Sequence, residues 1–217
     1  MPIVPARLAL FLSATLVLAV TPGPAVLFIV ARSMGQGRRT GFLSVLGVGL
    51  GNAVHAAAAA LGLAALLRAS PGAFAAVKYL GAAYLVLLGV RRVLERGGQG
   101  LGAPEAAAPS PPGVLLRQAF TVAVLNPKTA LFFLAFLPQF ADPARGGVAG
   151  QILLLGLLFI AVTVTTDSCY VLAADGLGRW LRRNPAVARS ERWVAGLVFV
   201  GLGAVAAFTG PGGEPGS

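Results

Sequence analysis

Two ionisable side chains, Lys128 and Asp167, stand inside long apolar runs of this chain. Lipid charges heavily for a bare ion at its centre, so such residues normally face a partner or a wet cavity and mark substrate or proton pathways. Asp167 sits among hydroxyls in VTVTTDSCY, with Thr163, Thr166, Ser168 and Tyr170 nearby. Lys128 sits in FTVAVLNPKTALFFLAF, beside Asn126, Pro127 and Thr129. One reading is a fixed ion pair that locks two helices together. The other is a substrate or proton site, with Asp167 as the proton carrier because a buried carboxylate can exchange its charge for a proton.

Lys128 also belongs to a break in its apolar run, and an earlier run is broken in a related way. LVLAVTPGPAVLFIV carries Thr21-Pro22-Gly23-Pro24 at its centre. The two runs align without a gap at an offset of about 105 residues, with Pro22 on Pro127, Ala25 on Ala130 and Phe28 on Phe133. Proline lacks an N–H and suits the first turn of a helix, and glycine accepts backbone angles that other residues avoid. The expected result is a pair of half-helices at each break. The start of the second half offers N–H groups and partial positive charge, and the end of the first offers carbonyls. An anion site beside a cation site suits the carboxylate and ammonium of an amino acid. Interrupted apolar segments at matching places in two halves point to a transporter's midplane site, because irregular backbone survives at that depth only when packed in protein or lining a cavity.

The elements that position these groups follow from composition. Hydrophobic residues make up 57% of the 217 residues and charged ones 11%, with a mean hydropathy of +0.82. A spanning helix needs about 20 mainly apolar residues. Six segments qualify, roughly 8–33, 40–67, 72–93, 114–138, 148–174 and 193–210. The start, Arg7 followed by an apolar stretch, resembles a signal peptide, but the run resumes after Pro24 and reaches Ala31, which favours an uncleaved span. Three spans in each half is an odd number, so the second half crosses in the opposite sense. The expected fold is an all-α membrane protein of six transmembrane helices in two inverted three-helix repeats, 1–96 and 114–210, with helices 1 and 4 broken at their proline motifs. Between the repeats lies 97–113, a Gly-, Pro- and Ala-rich flexible cytoplasmic linker, and 211–217 reads as a disordered tail.

The net charge of +10 would suggest nucleic acid if it covered one soluble face. Here the basic residues gather in alternate connections: Arg32, Arg38 and Arg39, then Arg91, Arg92, Arg96 and Arg117, then the arginines of 179–192. An excess of Lys and Arg marks cytoplasmic loops, so both termini are expected outside. The basicity is topological, with the lipid bilayer as partner and no nucleic acid.

Other polar residues in the spans are weaker signals. Asn52 is placed to cap a junction or contact substrate, His55 reads better as a packing residue, and Lys78 can reach the interface by snorkelling. Gly47 and Gly51 form a small-xxx-small pair that lets helix backbones approach closely. Cys169 is the only cysteine and has no partner for an intramolecular disulfide. An aspartyl protease would need two intramembrane Asp and only Asp167 lies in the spans, while a serine protease would need Ser168 and His55 to meet. A metal exporter would want several His, Cys or carboxylate ligands, of which the spans hold His55, Asp167 and Cys169. No cofactor is called for.

The stretches TPGPAVLFIVARSMGQGRRTGFLSVLGVGLGN, VKYLGAAYLVLLGVR and VLNPKTALFFLAFLPQF together resemble the lysine exporter superfamily, in the branch named for resistance to homoserine and threonine. The likeness covers most of 8–210. It implies an inner-membrane exporter of amino acids or their derivatives, driven by the proton gradient and assembled as a homodimer or larger oligomer. The substrate-binding residues expected are Thr21, Pro22, Gly23, Pro24, Asn52, Asn126, Pro127 and Lys128, with Asp167 coupling the proton. Many members of that branch carry Asn after Pro-Gly-Pro where this chain has Ala25, which leaves the particular amino acid open.

Overall fold

The computed structural model describes residues 5–69, 111–142, 145 and 147–183, with isolated helical positions between 79 and 94 and between 197 and 204. The segments expected as third and sixth spans, Lys78, residues 97–110 of the linker and the tail fall outside the stretches described. Every regular element among the described residues is helical.

The chain begins with α1, Pro5–Val20, followed by α2, Pro24–Gln36, whose axes meet at 50°. Gly37, at φ +87°, lets the chain reverse in one residue into α3, Arg38–Ala69; a side chain there would be strained. Next come α4, Pro112–Val124, and α5, Pro127–Phe140, which meet at 45°. The last helix, α6, is Val148–Arg183. Two helices are long and apolar enough to cross a bilayer, over Arg38–Gly62 and Val148–Ala174, and each bent pair has the joint length and composition for one further span. α4 starts earlier than the expected span and takes in the end of the expected linker. Pro112 occupies its first position, where a fixed φ and a missing N–H cost nothing.

Backbone contact fixes how α3 meets α4. A Cβ added to Gly47 would lie 2.6 Å from the Ala119 Cβ, and one on Gly51 would lie 2.5 Å from the Ala123 Cβ. The small-xxx-small stripe of α3 therefore meets a matching alanine stripe, Ala119 and Ala123, and the helices touch main chain to main chain. Gly156 of α6 meets Ala56 of α3 in the same way, at 2.6 Å from a built Cβ.

Two apolar cores flank the level of the breaks. One is aromatic: Phe11 of α1, Phe132, Phe133, Phe136 and Phe140 of α5, and Phe159 of α6, all essentially inaccessible. Their rings pack edge-on or tilted at centroid separations between 4.9 and 6.2 Å, arrangements that ring quadrupoles favour. The backbone of α5 adapts to this packing. It is α-helical over Pro127–Leu131, π-helical over Phe132–Phe136 and 3₁₀ over Leu137–Phe140. Pro138 has no N–H to give the carbonyl four residues back, and the Leu137 N–H reaches instead to the Phe132 carbonyl. The other core is smaller-grained, with Ala25 and Ile29 of α2, Val45 and Val48 of α3, Ala119 and Ala123 of α4 and Val171 of α6. Polar ties run beside it: Arg32 of α2 donates to the Gln118 Oε1 of α4 at 2.9 Å and lies over the Phe28 ring.

Candidate functional site

Between the two cores lies a cavity that is open on one side. Its polar wall is Asn52 of α3, Asn126 at the second break, Lys128 and Thr129 of α5, and Thr163 and Asp167 of α6. Its apolar wall is Leu18, Gly23, Ala25, Val26, Val48 and Phe159. Both proline breaks open onto this one space.

The first break begins where α1 runs out of donors. Pro22 and Pro24 contribute no N–H, so the last carbonyls of α1 lack their helical partners. Local chemistry satisfies part of the need: the Thr21 N–H donates to the Val17 and Leu18 carbonyls at 3.1 and 3.2 Å, and its Oγ1 donates to Val17 at 2.7 Å. Further bonds come from far along the sequence. The Lys128 ammonium donates to the Leu18 carbonyl at 2.6 Å and the Thr21 carbonyl at 2.5 Å. The Tyr170 hydroxyl donates to the Val20 carbonyl at 2.6 Å. An ammonium at a helix C-terminus gains from the partial negative charge of the helix dipole as well as from the hydrogen bonds.

This placement corrects one expectation. The carbonyl end of the first break is not an open cation site, because Lys128 already fills it. Gly23 makes that possible: a Cβ there would lie 3.2 Å from the Lys128 Cδ and 3.6 Å from its Nζ. The other side of the break stays available to an anion. α2 starts at Pro24 behind an extended Gly23, without a side-chain cap, and the N–H groups of Ala25 and Val26 precede the first acceptor available within the helix.

The second break is closed differently. Asn126 caps α5, its Oδ1 accepting from the Lys128 N–H at 3.1 Å, and Pro127 takes the first helical position. The end of α4 is tied back by Leu125 N–H to Thr121 O at 2.9 Å and Asn126 N–H to Ala123 O at 3.1 Å. The His55 Nε2 also meets the Ala123 carbonyl, at 3.2 Å, with its ring stacked on Phe133. His55 is thus engaged in packing and capping.

Asp167 is 5% exposed, and its charge and that of Lys128 act on one another across the cavity. Thr163, one turn before Asp167 on α6, turns its hydroxyl back to the Phe159 and Ile160 carbonyls at 3.0 and 3.1 Å and takes the Asn52 amide at 3.5 Å.

Of the residues picked from the sequence, Gly23, Asn52, Asn126, Lys128 and Asp167 meet around the cavity, while Thr21, Pro22, Pro24 and Pro127 build the breaks behind it. Thr129, Val48 and Phe159 were not singled out. Spacing carried a signal for Thr163, Asp167 and Tyr170, which fall at i, i+4 and i+7 and so share one face of α6.

Apolar helices of spanning length, bent pairs broken at prolines and an open cavity lined by opposite charges are the features of a multi-pass membrane protein. The sequence profile of LysE type translocators matches residues 16–210, and the chain belongs to that family. It is 39% identical over 186 residues to an uncharacterized membrane protein of Pseudomonas aeruginosa, covering 84% of this chain and 86% of that one. It is 30% identical over 190 residues to a leucine efflux protein of an Enterobacter species, covering 86% and 88%. To a leucine efflux protein of Klebsiella pneumoniae it is 29% identical over 194 residues, covering 89% and 91%. No solved structure matches the chain significantly.

Proposed function

We propose that this protein exports amino acids with neutral apolar side chains across the bacterial inner membrane, by proton antiport and alternating access. The observation that carries the reading is the shared cavity onto which both breaks open, with Lys128 and Asp167 both lining it and an apolar wall of Leu18, Val26, Val48 and Phe159. Opposite charges cancel in the empty site, so a zwitterion enters without adding net buried charge. Its carboxylate lies at the uncapped start of α2, near the Lys128 ammonium, where backbone N–H groups and the helix dipole favour an anion. Its side chain lies on the apolar wall.

Coupling follows from Asp167. The ionised carboxylate holds the substrate's ammonium, and a proton delivered to it removes that charge and weakens the hold on the substrate. Losing the proton on the other side restores the charge for the next substrate, so proton and substrate occupy the site in turn. The two halves act as inverted repeats about the cavity, with both termini outside and the arginine-rich connections in the cytoplasm. The relatives named as leucine efflux proteins support leucine as the first substrate to try.

Purified protein in lipid vesicles loaded with labelled L-leucine provides the test. An imposed gradient that drives protons inward through the carrier should accelerate leucine release several-fold over protein-free vesicles. Release equal to that of protein-free vesicles, with or without the gradient, for leucine and other neutral amino acids overturns the reading.

A further inference from the structure

Asn52 carries an acceptor with nothing to accept. The residue is 3% exposed, and its Oδ1 is a buried oxygen without a hydrogen-bond partner among the described residues. Buried polar atoms are nearly always paired, because leaving one unmade forfeits its hydration. The exceptions mark places where a partner arrives from elsewhere.

The hydrogen bonds around Asn52 fix which end of the amide is unsatisfied. The Thr163 hydroxyl has one proton, and it is directed to the Phe159 carbonyl at 3.0 Å and the Ile160 carbonyl at 3.1 Å. With the proton so directed its oxygen accepts from Asn52, and the Asn52 Nδ2 takes the 3.5 Å contact with Thr163. The amide is held with Oδ1 turned away from Thr163, and a flip would set one acceptor against another. Asn52, Thr163 and Asp167 all line the cavity. Two acceptors thus share one wall, a fixed neutral one and a carboxylate, while the Lys128 ammonium is directed to the α1 carbonyls.

We propose that Asn52 Oδ1 reads the substrate's α-ammonium, so that the carrier accepts primary amino acids and rejects the keto acids of the same carbon skeleton. The inference rests on the export function proposed above and adds the group that sets its specificity. Asn52 supplies the direction and Asp167 the charge. A ligand with no hydrogen-bond donor at that position leaves the Asn52 oxygen as bare as in the empty site, and a site built to hold a donor rejects the analogue lacking it far more strongly than one that merely senses shape. Thr163 is the positioning residue, since it keeps the amide from flipping.

The experiment measures inhibition of labelled L-leucine transport in vesicles by unlabelled L-leucine and by 4-methyl-2-oxopentanoate, its keto acid. For the native protein the keto acid should be weaker by about ten- to a hundredfold, the range spanned by one hydrogen bond to a charged group. Asn52→Leu should cut the ratio of the two inhibition constants about tenfold, chiefly by weakening leucine, while the Asp167 charge keeps it above one. Thr163→Val is nearly isosteric and leaves the helix carbonyls their backbone partners, so it keeps the test decisive if Asn52→Leu fails to fold; it should lower the ratio several-fold. A native protein that takes both ligands equally, or variants that keep the full ratio, overturns the inference while leaving amino-acid export standing. Absence of leucine transport by the native protein strikes the export reading instead.

Discussion

Replacing Lys128 with methionine keeps the length and flexibility of the side chain and removes only the ammonium. Its two hydrogen bonds go to the Leu18 and Thr21 carbonyls. The Leu18 carbonyl retains a bond from the Thr21 N–H at 3.2 Å, so the main loss falls on Thr21. A hydrogen bond to a charged group contributes about 1.5–3 kcal/mol, and a stranded buried acceptor costs a similar amount. Asp167 also loses the opposite charge across the cavity, and breaking a buried charge pair costs about 3–5 kcal/mol. These effects share one ammonium and do not add. A loss of about 3 kcal/mol is the expected net, which for a chain of this size lowers the midpoint of thermal unfolding by about 6–12 °C. Adding Asp167→Asn should recover part of the loss, because no bare charge then remains. Melting of the purified proteins in one detergent reads all three. If Lys128→Met melts within about 2 °C of the native protein, the ammonium is not the cap of α1 and the reasoning about the first break fails.

The helix seam gives a second prediction with an internal control. Gly51→Ala places a methyl 2.5 Å from the Ala123 Cβ, so α3 and α4 must part by about 1 Å to reach ordinary contact, at a cost of about 1–3 kcal/mol. Gly62→Ala meets nothing within 4 Å among the described residues and should be neutral or slightly stabilising through helix propensity; equal melting of the two variants would refute the seam. Changing Pro22-Gly23-Pro24 to three alanines should leave insertion intact and bring leucine release to the protein-free rate, since a continuous helix satisfies its own backbone and erases the anion site; retained transport would make the break a packing feature. Asp167→Asn should fold and still exchange leucine across the membrane while losing acceleration by the proton gradient, and full acceleration would place the proton carrier elsewhere.

The positions of both breaks were legible because proline acts locally: it removes its own N–H wherever it stands, and Pro24 and Pro127 each open a helix. The glycine stripe of α3 was legible too, but its partner was not. Ala119 and Ala123 look like any alanines until α4 is laid against α3. The pairing of Lys128 with the first break left no trace either, since 107 residues separate it from Thr21 and no local pattern distinguishes an ammonium facing a carboxylate from one facing carbonyls. The π-helical turn in FFLAF escaped because it answers to Pro138 and the surrounding rings together, and only the proline is visible in the sequence.

The way α1 is capped also bears on how the chain is made. Thr21 finds its donor 107 residues later, and Val20 finds its donor, the Tyr170 hydroxyl, 150 residues later. Membrane proteins are threaded into the bilayer in order, and hydrocarbon offers these carbonyls nothing while they wait. The first span therefore cannot settle as a finished element when it leaves the insertion machinery. Its inner end must stay near water, or beside the machinery itself, until synthesis has passed residue 170. A nascent chain halted between residues 100 and 160 would hold an unfinished helix end at membrane depth, exposed to quality-control proteases until its last donor emerges.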